Sequence, residues 1–147
     1  MKKLLYFALL LVLCVAGCSR KTDSRLALAD SLIEIRPDSA YAILRSVNPD
    51  SLAGEGNRAL YGLLMTQAEF KMTRKISNDT LIDWATEYYQ SGKDPQKRTR
   101  VYFYKASALY SSGDKLGALD WLKRAEATAD TADYAMMAVS YTHLRAH

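Results

Sequence analysis

The sequence predicts an all-α fold of antiparallel helix hairpins, and three observations carry that prediction. Apolar residues recur three and four apart, the helical spacing, rather than alternating. Proline occurs at 37, 49 and 95, each time beside aspartate: Pro37-Asp38, Pro49-Asp50 and Asp94-Pro95. Such pairs end one helix and start the next. The β-branched runs that strands need are missing. Helices are expected at about 24–35, 39–47, 57–73, 80–91, 97–112, 115–128 and from 133 onward.

Ahead of the first helix, Lys2 and Lys3 precede fourteen uncharged apolar or small residues, Leu4 to Gly17. That length fits the ~7–15 residues of a secretory h-region. It falls short of the roughly 20 that a membrane-spanning helix needs, and Ser19-Arg20-Lys21 closes the run. Val15-Ala16-Gly17-Cys18 resembles a bacterial lipobox. Small residues are needed there because the cleaving enzyme must admit the backbone beside a lipid-bearing cysteine. The resemblance implies a signal peptide over 1–17, acylation of Cys18, and a lipid-anchored linker over 18–23. One fatty chain holds weakly, and two or more anchor stably at ~0.8 kcal/mol per buried methylene. Ser19 follows the cysteine where Asp would resemble an inner-membrane retention signal. Arg20-Lys21-Thr22 lacks the acidic run that resembles a surface-export signal. The implied location is the cell envelope, on the outer membrane facing the periplasm.

Cleavage after Gly17 leaves 130 of 147 residues, one domain's worth, and lowers the formal charge from +4 to +2 as Lys2 and Lys3 depart. No dense basic stripe remains, which removes the main support for nucleic-acid binding. Lys93, Lys97, Arg98 and Arg100 read as a solvated helix entrance. Cys14 leaves with the leader and Cys18 carries lipid, so no thiol pair is left for a disulfide or a metal.

The first hairpin, Ser24–Val47, sets Leu26, Leu28, Leu32 and Ile33 against Ala40, Ile43 and Leu44. The second, Asn57–Gly92, sets Leu60, Leu63, Leu64 and Ala68 against Leu81, Ile82, Ala85 and Tyr88-Tyr89, across the long loop Thr73–Asn78. Trp84 and Trp121 are expected to pack in the core or between hairpins. The third, Thr99–Ala132, resembles a tetratricopeptide repeat, whose period is ~34 residues. Tyr102 matches its first aromatic, Ala106 its small contact site, Leu109 the next packing site, and Gly113-Asp114 its turn. Ala118, Leu122 and Ala125 match the small–large–small face of its second helix. Lys105 and Asp130 depart from the Leu and Pro of the consensus. One hairpin cannot bury its own apolar face, so the resemblance implies that 24–139 stacks as a tetratricopeptide-like solenoid. The span Ser24 to Val139 is also similar to tetratricopeptide lipoproteins of Gram-negative bacteria, through Pro37-Asp38-Ser39-Ala40, Asp79-Thr80-Leu81-Ile82, Tyr88-Tyr89 and Tyr102-Phe103-Tyr104. Members of that group are usually longer, so the chain reads as a truncated N-terminal fragment. Residues 140–147 resemble translated sequencing-adaptor DNA and are expected to be a non-native or truncated tail.

Both histidines, His143 and His147, lie in that tail. Without them no Cys–His or Ser–His pair and no zinc spacing remains, so no catalytic residue, metal ligand or cofactor is assigned and an enzyme is not expected. Gly54-Glu55-Gly56 reads as a turn. Glu69, Asp83 and Glu87 could approach one another, but a glycosidase pair needs a cleft and solvated helix surface explains them equally. Five triplets, Asp30-Ser31-Leu32, Asp38-Ser39-Ala40, Asp50-Ser51-Leu52, Asp79-Thr80-Leu81 and Asp130-Thr131-Ala132, resemble an O-glycosylation motif, with helix capping as the alternative. In tetratricopeptide arrays the first helix of each repeat lines a groove. Arg100, Phe103, Ser107 and Tyr110, three, four and three apart, share one helical stripe there. They form the candidate partner-binding groove, packing of Phe103 and Tyr110 against the adjacent repeat being the alternative. The expected function is a membrane-anchored, non-enzymatic lipoprotein that binds a periplasmic or cell-envelope protein or peptide. A sensory N-terminal region of a longer signalling protein and a nutrient-capture lipoprotein are the other readings. Cys18→Ser should abolish acyl labelling and membrane retention, and retention without lipid would sink the lipobox reading.

Overall fold

Six helices are described: α1 (Ser24–Leu32), α2 (Pro37–Arg45), α3 (Glu55–Thr73), α4 (Thr80–Gln90), α5 (Pro95–Ser112) and α6 (Lys115–Thr128). A 3-10 turn, Pro49–Ser51, joins α2 to α3. The computed structural model describes residues 21–77, 79–92, 94–130 and Met137, and among them there is no strand. The leader, Cys18 and the 140–147 tail lie outside the described residues. So does the helix expected from 133, except for Met137, which is buried.

Two helices start earlier than the proline breaks implied. Pro37 and Pro95 are the first residues of α2 and α5 rather than spacers before them. Their fixed φ suits the first helical position, where a backbone N–H would have no partner inside the helix. Side-chain capping falls to Asp23, Asn48, Asp94 and Asp114, each accepting from a backbone N–H two or three residues on. Asp79, at the N-cap of α4, makes no such bond. Gly113 ends α5 at φ 92, and the N–H of Asp114 returns to Leu109 O at 2.9 Å. That left-handed residue suits glycine and lets Asp114 cap α6 at once. Arg74 ends α3 in the same region, at φ 59, which costs a residue with a Cβ about 1 kcal/mol.

Neighbouring helices pack as antiparallel pairs, and α3 sits in the middle. Leu60, Tyr61, Leu64 and Ala68 on one flank of α3 join Leu26, Ala29, Ala40 and Leu44 in a core shared with α1 and α2. Ala59, Leu63 and Phe70 on the other flank join a second core with Ile82, Ala85, Val101, Phe103, Tyr104 and Leu122 from α4, α5 and α6. Phe70 meets Phe103 and Tyr104 edge-on, at centroid distances of 6.1 and 5.8 Å. At Gly62 α3 and α4 approach closely, and a Cβ there would lie 2.5 Å from the backbone oxygen of Leu81. Neither backbone can yield without shifting a helix. Gly62→Ala should therefore cost about 1–3 kcal/mol, read as a lower urea midpoint; an unchanged midpoint would show that α4 simply moves aside.

Candidate functional site

The stripe Arg100, Phe103, Ser107 and Tyr110 is a packing seam rather than an open groove. Phe103 and Ser107 are buried, and the Ser107 hydroxyl donates to Phe103 O within the helix. Tyr110 is half-buried. Arg100 reaches across to α1 and α3. The physical reason is the second flank of α3, whose Phe70 covers Phe103.

Arg100 ends a ladder of polar side chains. Its Nη1 donates to Asp30 Oδ1 at 3.0 Å, and its Nε donates to Gln67 Oε1 at 3.2 Å. Gln67 Nε2 donates to Glu34 Oε1 at 2.6 Å, and Lys71 Nζ donates to Glu34 Oε2 at 2.8 Å. Glu34 to Gln67 and Gln67 to Arg100 are each steps of 33 residues. Gln67 is wholly buried, so its amide must find partners. A carboxylate on one side and a guanidinium on the other also fix which way it points.

At the near end of the body, where the N-termini of α3 and α5 meet the C-terminus of α4, lies a cleft of about 1110 Å³. Thr22, Glu55, Gly56, Trp84, Tyr88 and Asp94 are among its lining residues. Trp84 is 51% exposed and Tyr88 42% exposed. The expectation that Trp84 packs inside is thus corrected. The inner face of α4 is taken by Ile82, Ala85 and Tyr89, and Trp84 falls outside it. Trp121 does pack, half-buried against Tyr102 at 5.3 Å, with Arg124 over its ring at 4.6 Å. The Tyr88 hydroxyl lies over Gly56, where a Cβ would come within 2.8 Å of it. Tyr88 also meets Tyr89 edge-on at 5.0 Å. Burial pushes the Tyr89 phenol well above the usual tyrosine range, so it stays neutral.

The incoming chain is bolted to this end by Asn57. Its Nδ2 donates to Ala53 O at 2.9 Å and to Lys21 O at 3.3 Å, and its Oδ1 accepts from the Asp23 N–H at 3.1 Å. Glu69, Asp83 and Glu87 do not converge. Glu69 accepts from the Ser77 N–H at 3.1 Å, Asp83 takes the Lys105 ammonium across the α4–α5 seam, and Glu87 lines the cleft.

At the far end, the turns α1–α2, α3–α4 and α5–α6 come together. The Lys71–Glu34 pair ties α3 to the α1–α2 turn, and Ile76 N–H donates to Ser111 Oγ at 3.4 Å. Each of these three regions exposes a large apolar residue: Ile35 at 75%, Met72 at 47% and Leu116 at 83%. Arg36, Arg74, Lys75 and Lys115 are exposed beside them. Sequence reading missed this patch because its members lie in or beside turns, one per hairpin, and share no periodicity.

No family model, no curated protein and no solved structure matches the chain.

Arg100→Ala leaves Asp30 and the buried Gln67 oxygen without their donors. It should cost about 1–3 kcal/mol in chemical denaturation, whereas a neutral result would show that water replaces the guanidinium. Acid should act at the caps. Hydrogen bonds from Arg25 hold the half-buried Asp23 carboxyl at about 2 rather than 3.8. Partial burial pushes Asp94 up, but donation from the Lys97 ammonium and backbone N–H outweighs it, and the net shift is downward. Both carboxylates thus favour the fold above their unfolded pKa, near 3.9, and lose that contribution as pH falls through the lowered folded values. Asp94→Asn should flatten the acid limb of the stability curve, an effect measurable as unfolding midpoint against pH.

Proposed function

We propose that this chain is a lipid-anchored, non-enzymatic binding protein of the cell envelope, whose hairpins stack in the tetratricopeptide manner. The bonds from Arg100 on α5 to Asp30 on α1 and to Gln67 on α3 support that stacking, since they join the three helices that would open successive hairpins. The anchor is Cys18, and the partner is a protein or peptide of the envelope.

The observation that carries the reading is the far end, with Ile35, Met72 and Leu116 exposed among Arg36, Arg74, Lys75 and Lys115. Large side chains left in water at one end of a body gain by burial against a partner. The same turns also expose Glu34, Asp79 and Asp114, so the rim is mixed in sign and the apolar side chains, rather than net charge, hold the partner. The interior stripe at Phe103 and Ser107 serves the body rather than the partner.

Pull-down from native membranes tests the proposal. Met72→Glu combined with Leu116→Glu should weaken capture of specific partners by about tenfold, equivalent to about 1.4 kcal/mol, while circular dichroism and the thermal midpoint stay unchanged. Identical partners at identical yield would refute the far end as the binding surface.

A further inference from the structure

We infer that the near end of the body rests on the phospholipid surface to which the chain is tethered, with Trp84 and Tyr88 seated at headgroup level. This rests on acylation of Cys18, as proposed above.

The tether is short. Only Ser19 and Arg20 separate Cys18 from Lys21, and Lys21 is already held, its carbonyl bonded to Asn57. Three fully extended residues reach about 10 Å. Thr22, the next residue, lines the same cleft as Trp84 and Tyr88. An acyl group on Cys18 therefore brings Lys21 to within about 10 Å of the bilayer surface and places the near end, where Thr22 enters the cleft, closer to it than the far end.

The side chains waiting there suit that surface. Trp84 and Tyr88 stand one turn apart on one face of α4, both exposed. Trp and Tyr are the residues that gather at the membrane–water boundary, where an apolar ring and a polar N–H or O–H are both satisfied. Tyr88 is braced against Gly56 and Tyr89, so little ordering remains to be lost when it meets lipid. The described rim is mixed in sign, with Asp50, Glu55, Glu87 and Asp94 beside Arg58 and Lys97, and Asp94 paired to Lys97. Such a rim offers no cationic patch to draw in an anionic surface and suits zwitterionic headgroups. The far end, at the opposite ends of the helices, then faces away from the membrane.

The chain has two tryptophans, and Trp121 is not among the residues lining the cleft. The test is fluorescence of the full-length acylated protein in phosphatidylcholine vesicles, with and without bromine on one acyl chain. Trp121→Phe keeps Trp84 as the sole indole, and Trp84→Phe keeps Trp121. The expected result is loss of Trp84 emission in brominated vesicles and protection of Trp84 from aqueous acrylamide, with Trp121 unaffected by bromine. Far-UV circular dichroism confirms that each variant is folded, and intact mass reports the acyl chains on the same samples. Acylated protein whose Trp84 emission is the same in both lipids overturns the docking and leaves the anchor standing. Equal quenching of Trp121 overturns it too, because the body would then have no preferred face. Protein without acyl chains removes the anchor reading and the docking together.

Discussion

The structure depends on a helix that is enclosed from both flanks. Between Ala59 and Phe70, α3 has only Met65 and Glu69 part-exposed, and every other residue is buried. A helix covered all round cannot show the single apolar stripe of a surface helix. It needs small side chains where neighbours approach, and Ala59, Gly62 and Ala68 meet that need. It also needs an answer for each polar group it takes out of water. Thr66 donates to Gly62 O at 2.9 Å within the helix, and Gln67 passes its hydrogen bonds to Glu34 in the α1–α2 turn on one side and to Arg100 on α5 on the other. The two cores are distinct, and α3 is the element they share.

That arrangement separates the roles of the polar residues. Those at mid-body, Asp30, Gln67 and Arg100, bond to one another and tie α1, α3 and α5 together. The far end sets lone apolar side chains among charges of both signs, and the near end sets two exposed aromatic rings beside a charged rim.

Much of the fold was legible in the sequence. The small–large–small spacing of Ala118, Leu122 and Ala125 and the Gly113-Asp114 turn located the α5–α6 pair, because side-chain volume alone decides how closely two helices lie. Start positions slipped at Pro37 and Pro95, where a residue that interrupts a helix from within also opens one well. The site was less legible. The spacing of Arg100, Phe103, Ser107 and Tyr110 correctly put them on one stripe, but periodicity cannot say whether a stripe faces water or another helix. Only the position of Phe70, contributed by a different hairpin, decides that for Phe103. Gly62 carries no local signal, since its importance lies in Leu81 opposite. Trp84 was misplaced because a large aromatic is usually buried, a tendency that yields when the inner face of the helix is already filled. The anchor cysteine lies outside the described residues, so its reading still stands on the leader's sequence.

Asn57 gives the protein a defined load path. Tension applied through the N-terminal side of the chain enters the body at Lys21 and Asp23 and passes to the first turn of α3. The chain also runs on covalently into α1 at Ser24, so a pull reaches the edge helix and the helix that borders both cores together.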